Sequence, residues 1–525
     1  MKKPAGSLPL AFLSLLALFL VLAPHALSAD ENTRPDENSL FGGDASAAVP
    51  TASGSPSSTA GASGSAPDVS ASAPAAARGA DTDQGGMSLG TLGTDDFANG
   101  TVKDNPLTIG GVVYQQLYLD EAVYQAPGSG NLSMPLQMDT YLDARPNDRV
   151  RAYVDARLIY DPTKNALGQP TSSGSGSQYS GLEAGSSSTS VSNTSNPVVV
   201  LDQAWVSFDV DRTAFITVGK QHVKWGTGHI WNPTDFLTVQ KLNPLQPYDL
   251  RLGDTMVKVA VPVNVPGLDG TNFYAISLLD NPQGASTLRQ TGGAFRAESV
   301  LWGMEVGVDA VTRANEYPDY GFDLSGPLGP LDIYVEDAVL SGHAPEYQPS
   351  AASTPGILAS LYGSTQLSGP LDQTVAGVSY DFAWRADRQA TLGAEYFYNE
   401  LGLGADAAKL LPILMYEGDY MPFYMGRNYA AIYLSAEGPD EGKKSSYNLS
   451  NVVNLSDGSA VTRLDFTWLL LDYLTYGAWV AVHYGTPGGE LNFALHTPRF
   501  TSPDIGPVNV PATPVEMGMS LRLSY

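Results

Sequence analysis

Residues 149–160, RVRAYVDARLIY, alternate polar and apolar side chains, and the last eleven residues, 515–525 (VEMGMSLRLSY), repeat the pattern. A period of two is that of a β-strand with one apolar face and one polar face. The first stretch therefore predicts a strand whose two sides meet different environments. The polar face of that strand consists of Arg149, Arg151, Tyr153, Asp155 and Arg157.

The same alternation recurs from about Leu107 to the end of the chain, and short gaps between segments alternate with long ones. Bacterial outer-membrane barrels connect their strands in this way, with short turns on one side and long loops on the other. Phe466–Val482, which could pass for a helical span, divides into two strands around a tight turn. We predict eighteen strands, with an error of two: 107–119, 134–143, 149–160, 198–210, 213–223, 253–263, 270–279, 290–298, 302–312, 319–325, 330–340, 372–382, 389–399, 427–435, 446–455, 459–470, 473–484 and 514–525.

The predicted fold class is all-β, a transmembrane antiparallel up-and-down barrel of about 16–18 strands within residues 99–525. A soluble sandwich also alternates, but its core does not tolerate the many charges on these polar faces. Aromatic residues such as Tyr160 and Tyr484 bound the apolar faces, as interface girdles require. In lipid, only a closed sheet pairs every strand N–H and C=O group.

The first 98 residues differ from the rest. Residues 1–29 resemble a cleaved signal peptide, with Lys2 and Lys3 before an apolar run from Leu10 to Ala23. The alternative is an uncleaved anchor. Residues 30–98, rich in Ala, Ser, Gly and Pro, are predicted to be a disordered linker, either a passive one or a spacer that meets the cell wall. We therefore expect export to the cell outer membrane.

Composition excludes several function classes. The chain has no cysteine, and hence no disulfide or thiolate metal site. Its formal net charge of −26 disfavours nucleic acid as a partner. Its six histidines lack metal-motif spacing; a weak site at His222 and His229 is conceivable, but ordinary hydrogen bonding is favoured. No nucleophile elbow is present. We expect no enzyme activity, no metal and no cofactor.

Charged residues on the polar faces are candidates for lining a watery lumen, where charged rings set ion preference. Asp139 and Asp143 on the preceding strand are placed to pair with the arginines of 149–157. The alternative role is a lattice of ion pairs that stiffens the wall. The candidates are Arg149, Arg151, Asp155, Arg157, Lys220, Lys258, Arg296, Glu305, Asp309, Glu395, Arg463 and Asp465, with Glu298, Asp332, Glu336, Asp381 and Arg522 also predicted to face the lumen.

The long connection at 224–252 is too apolar for an exposed loop. We predict that it folds into the barrel mouth as a constriction; the alternative is a loop that lies over the rim. The constriction residues would be Trp225, Trp231, Asn232, Pro233 and Asp235.

Three motifs follow one another here: GKQ at 219–221, WG at 225–226 and NPTD at 232–235. This order resembles a recurring motif of porin-like outer-membrane barrels in diderm bacteria, a largely uncharacterised group. The resemblance covers about 40 residues, and the signal peptide and the terminal aromatic strand extend it to both chain ends. It implies a barrel for solute passage and supplies no substrate. The long Ser/Gly loop 161–197 and the 30–98 tail depart from a compact porin.

The leading hypothesis is a porin-like channel for small hydrophilic solutes or ions. The acidic excess would favour cations, and the arginines of 149–157 could reverse that locally. One alternative is a surface-exposed structural or adhesive barrel, suggested by loops 161–197, 341–371 and 485–513. Another is a hydrophobic-substrate transporter, which the lumen charges disfavour. Expected partners are outer-membrane lipid, the barrel-assembly machinery, for which Tyr525 would be a signal, and small solutes; the oligomeric state is left open.

Overall fold

Strand pairing in the computed structural model closes one sheet into a barrel. The first long strand, β1 (Leu107–Glu121), pairs in antiparallel fashion with the last, β23 (Val515–Ser524), from Val112 opposite Ser524 to Glu121 opposite Val515. The structure describes residues 106–121, 131–163, 196–238, 241, 243–245, 251–279, 291–313, 316–341, 343–349, 362–404, 421–440, 442–496, 509–510 and 512–525. The predicted signal peptide and the 30–98 linker lie outside these ranges.

The eighteen predicted strands are all present among the described residues, and Phe466–Val482 is the predicted pair of strands around a turn. The only helical element in this part of the chain is a 3-10 turn, Glu490–Asn492, and no helix here is long and apolar enough to cross a membrane. The remaining barrel strands are β3 (Leu136–Asn147), β4 (Val150–Tyr160), β5 (Val198–Val210), β6 (Ala214–Gln221), β7 (Asp254–Pro262), β8 (Asp269–Leu278), β9 (Gly292–Leu301), β10 (Met304–Thr312), β11 (Asp319–Leu328), β12 (Leu331–Leu340), β15 (Leu371–Arg385), β16 (Arg388–Asn399), β17 (Asn428–Glu437), β18 (Ser445–Asn454), β19 (Ser459–Leu471) and β20 (Leu474–Gly485).

Five shorter strands complete the described sheet structure. β2 (Asn131–Ser133) extends the pairing of β1. The pair β13 (His343–Pro349) and β14 (Tyr362–Ser368) and the pair β21 (Leu495–His496) and β22 (Asn509–Val510) form separate hairpins in the long connections. All barrel neighbours are consecutive along the chain and antiparallel, so the topology is up-and-down.

The seam where the barrel closes is held at Tyr525. Its backbone N–H donates to the Gly111 carbonyl and its carbonyl accepts from the Gly111 N–H, each at 3.0 Å. Its phenol oxygen lies 2.9 Å from Thr140 Oγ1 on β3. A Cβ at Gly111 would lie 2.6 Å from that phenol oxygen, so the absent side chain is what lets the ring cross β1.

The outward face of the barrel is apolar. Ile432 and Met519, in the middle of their strands, are 57% and 47% exposed. Exposed aromatic side chains lie toward both strand ends, among them Tyr160 and Tyr484 at the long-loop end and Trp468 at the short-turn end. An apolar band between two aromatic girdles is the surface of a barrel that lies in a bilayer.

Candidate functional site

The connection after β6 is the longest described segment that packs inside the barrel. It leaves the wall at His222, and Gly226 takes a φ of +90°, a conformation that favours glycine. A Cβ at Gly226 would lie 2.6 Å from Glu336 Oε1, so the loop backbone passes directly against the β12 wall. The sequence step Trp225-Gly226 thus turns the chain away from β6 and toward the opposite side of the barrel.

Two inward-facing carboxylates hold the loop backbone. Glu336 on β12, fully buried, accepts hydrogen bonds from the backbone N–H groups of Thr227 and Gly228 and, at 3.0 Å, from Thr234 Oγ1. Carboxylates are strong acceptors for backbone N–H groups. The β12 wall therefore fixes the first turn of the loop.

Glu395 on β16 binds the backbone of the next turn of the loop. It accepts from the backbone N–H groups of His229 at 3.0 Å, Ile230 at 3.2 Å and Trp231 at 2.8 Å, and from the Tyr334 hydroxyl at 2.6 Å. β6 is the fifth barrel strand in chain order and β16 the thirteenth. The loop therefore reaches nearly the opposite side of an eighteen-stranded barrel, and its contacts lie within the lumen.

Trp231 anchors the loop in an apolar pocket and is wholly buried. Its ring lies 5.6 Å from that of Phe397 and 5.5 Å from that of Tyr429, centroid to centroid. Its indole N–H donates to the Phe423 carbonyl at 2.9 Å. Because Phe423 belongs to the connection between β16 and β17, Trp231 joins two long loops.

A third loop meets them at Glu490, in the connection after β20. Glu490 accepts from the Phe423 backbone N–H at 2.6 Å and from Asn454 Nδ2 at 2.8 Å, and it also bonds the Tyr429 hydroxyl. Burial, with a smaller effect of nearby Asp457, raises the pKa of Glu490 to about 7. Phe423 thus connects the three loops, since its carbonyl binds Trp231 of the first and its N–H binds Glu490 of the third.

The other side of the loop packs on β7–β12. Trp225, Phe236 and Leu237 contact Met256 and Ile276 in a second buried cluster. Arg313 donates to the Phe236 carbonyl at 2.7 Å. The constriction residue Asp235 binds Arg251 at 2.8 Å.

The remaining predicted constriction residues, Asn232 and Pro233, are buried as well. The imidazole of His229 lies 4.8 Å from the Tyr334 ring. Burial lowers the pKa of His229 to about 4, with a smaller effect of Lys224, so it is neutral near pH 7 and adds no charge to the lumen.

The described residues include no group of three His, Asp or Glu side chains that could hold a metal ion.

Most predicted lumen charges share the inward face of their strands, as the register shows. They are extensively paired with one another. The pairs and distances are Arg151–Asp143 at 3.0 Å, Arg157–Asp139 at 3.1 Å, Arg296–Asp309 at 3.0 Å, Arg296–Asp323 at 2.6 Å and Arg463–Asp465 at 2.7 Å, while Asp155, Lys258 and Glu305 occupy the same face.

One predicted position is wrong. Lys220 lies opposite Ala204 and Thr255 and shares the outward face with exposed Val218, because Gly219 and Gln221 take the inward positions of β6. The register across neighbouring strands, which one strand's sequence does not contain, decides the face of Lys220. Arg149 lies in the turn just before β4, where it binds the inward-facing Asp209 of β5 at 3.0 Å, with 46% of its side chain exposed.

The sequence reasoning missed what holds the loop. Alternation indicated that Glu336 and Glu395 face the lumen, but nothing in it connects them to residues 227–231. Phe423 and Glu490 carried no signal, since their partners lie far along the chain.

No protein-family model and no curated protein matches the chain. Solved structures with a similar arrangement include a triple mutant of the Rhodopseudomonas blastica porin, 8% identical with a TM-score of 0.36, covering 80% of this chain and 100% of that chain. Acinetobacter baumannii OccAB1 is 9% identical with a TM-score of 0.44, covering 81% and 98%. OccAB3 of the same organism is 8% identical with a TM-score of 0.43, covering 80% and 99%. At these values, the barrel assignment rests on the strand pairing of this chain, and the motif at 219–235 stays a resemblance.

Proposed function

We propose that the chain is an outer-membrane channel for small hydrophilic solutes or ions, with a lumen narrowed by the loop that follows β6. The observation that carries the proposal is that Glu336 and Glu395 accept hydrogen bonds from the backbone N–H groups of loop residues 227–231. A closed eighteen-stranded barrel is wider than its own side chains can fill. A loop fixed across it leaves a narrower water-filled path with defined walls.

The charges that face the lumen support passage of cations. Glu305, Asp332 and Asp381 face inward from β10, β12 and β15, and no described residue forms a salt bridge with any of them. Unpaired carboxylates along a pore wall attract cations and repel anions. The paired arginines of β4 and β9 add little net positive field, because each is neutralised by neighbouring aspartates.

The outer-membrane location is supported by the apolar band and its aromatic girdles. Of the two alternatives, the adhesive barrel depends mainly on loops 161–197, 341–371 and 485–513, which lie largely outside the described residues. A hydrophobic-substrate transporter would need an apolar path, and the inward charges oppose it.

Conductance of the purified, folded barrel in a planar bilayer tests the proposal. We expect discrete single-channel steps in KCl and, in a KCl gradient, a reversal potential of the sign that indicates preference for K⁺ over Cl⁻. Folding is checked by heat-modifiable migration in a gel. A folded barrel that gives no conductance would refute the channel function, and anion preference would refute the cation assignment.

A further inference from the structure

Three aromatic side chains line the lumen on β3, β4 and β5, away from the loop anchors. The ring of Tyr153 lies 5.8 Å from that of Tyr141 and 5.5 Å from that of Trp205, with interplanar angles of 21° and 24°. All three are partly exposed. They form an aromatic row on the wall, with π-surface that reaches the lumen.

Asp155 adjoins this row at its upper end, which is the end toward the long loops. On the same face of β4 it is two residues from Tyr153, and its cross-strand neighbours are Tyr141 on β3 and Gln203 on β5. Directly opposed side chains of this kind are about 5 Å apart at Cβ. Asp155 is only 5% exposed, and its Oδ1 has no hydrogen-bond partner. A buried carboxylate oxygen without a donor is costly unless a cation or a proton compensates it.

The arginine two residues farther along the same face of β4 is already engaged. Arg157 binds Asp139 at 3.1 Å and Asp202 at 2.8 Å, so one guanidinium serves two carboxylates. His222 lies 2.8 Å from Asp202 on that residue's other oxygen. Asp139, Asp202, Arg157 and His222 thus form one cluster. With Asp155 it contains three carboxylates, one arginine and one histidine, so negative charge exceeds positive charge even when His222 is protonated.

At the lower end of the aromatic row, toward the short turns, a cation already lies against the rings and pairs with a carboxylate. The Arg151 guanidinium lies 5.2 Å from the Trp205 ring centroid and 5.8 Å from that of Tyr153, and Asp143 binds it at 3.0 Å. A cation against aromatic faces with a carboxylate beside it is a stable arrangement. At the upper end the aromatic faces and the carboxylate are present, and no described cation binds Asp155 Oδ1.

We propose that this wall is a binding subsite for the ammonium group of small organic cations, with Asp155 as the counter-ion and Tyr141, Tyr153 and Trp205 as the aromatic surface. The subsite rests on the proposed channel function, to which it assigns a substrate class. Anionic solutes are excluded by the three acids. A bare metal ion is disfavoured, because no described set of three acidic or His side chains has the geometry to hold one.

Choline chloride is the probe. Binding to the detergent-solubilised, folded barrel is measured by calorimetry, and the same salt is added to one side of a bilayer in KCl. We expect saturable binding and a concentration-dependent reduction of current. Asp155→Asn weakens both by about tenfold or more, since losing one charge-assisted contact of about 1.4 kcal/mol corresponds to tenfold.

Two further variants separate recognition from general charge and packing effects. Trp205→Leu removes the π-surface and weakens choline binding severalfold, whereas Trp205→Phe retains most of it. The matched control is Asp332→Asn on β12, eight barrel strands away: it lowers the preference for K⁺ over Cl⁻, as expected of a wall carboxylate, and leaves the calorimetric choline affinity unchanged. Equal loss in both aspartate variants would reduce the subsite to a general charge effect and overturn the proposal.

The two proposals fail separately. A barrel that conducts KCl but shows no saturable choline binding overturns the subsite and leaves the channel. A folded barrel that binds choline through Asp155 but conducts nothing overturns the channel and leaves the subsite. Unchanged affinity in Asp155→Asn overturns the subsite in either case.

Discussion

Replacing Glu395 by Leu should release the loop from the lumen wall. The carboxylate accepts three backbone N–H groups of the loop, from His229, Ile230 and Trp231, at 2.8–3.2 Å. Leu offers no acceptor, and a buried donor left unsatisfied costs about 1–3 kcal/mol. For the three N–H groups together, the free energy of docking the loop becomes less favourable by about 3–9 kcal/mol. Since about 1.4 kcal/mol is tenfold, even the lower end shifts the docking equilibrium more than a hundredfold.

Two assays follow the release. In a planar bilayer, the mean single-channel conductance of Glu395→Leu should rise and fluctuate among several levels. Trypsin should cut the folded barrel after Lys224 or Lys241, which lie in the released loop. Glu395→Gln keeps the shape and one acceptor oxygen, and should show a smaller change in both assays.

The control is Asp381→Asn, which removes an inward carboxylate that bonds Thr391 on the wall. It should alter ion preference and leave both the conductance levels and the trypsin pattern unchanged. The reasoning would be refuted if a folded Glu395→Leu barrel kept the native conductance and stayed resistant to trypsin, because the carboxylate would then not be what holds the loop.

Two other predictions concern assembly and pH. Gly111→Val should push the Tyr525 ring off the seam and reduce the yield of heat-modifiable barrel, as should deletion of Tyr525; Gly404→Ala, with open space around its Cβ, should assemble normally, and equal yields in all variants would contradict the seam role. Because burial raises the pKa of Glu490 from 4.5 to about 7, its contribution to stability is complete below about pH 4.5 and is lost as the pH rises through 7. Glu490→Gln should remove this decline, of about 3 kcal/mol at most, from urea-unfolding curves at about pH 5 and pH 8; an unchanged pH dependence would show that Glu490 does not cause it.

The strands could be predicted from the sequence because their signal is local. Each segment alternates with a period of two, and a barrel with lipid outside and polar groups inside keeps that period on every strand. The pairing of Arg157 with Asp139 followed in the same way, since neighbouring strands place their polar faces side by side. Lys220 shows where this reasoning stops: β6 carries apolar residues at both Ala214 and Phe215, so its own pattern does not define which face is inward.

The amino-acid sequence by itself predicted about 16–18 antiparallel strands with an apolar outside and a charged inside, because alternation needs only neighbours along the chain. It also marked residues 224–252 as too apolar to stay in water. Only the tertiary structure decided where that segment binds. The partners of residues 227–231 lie about one hundred and one hundred and sixty-five residues away, at Glu336 and Glu395, and only barrel closure brings those two strands across the lumen from β6. The pairing of neighbouring strands likewise placed Asp155 opposite Tyr141 of β3, and Tyr153 of its own strand opposite Trp205 of β5.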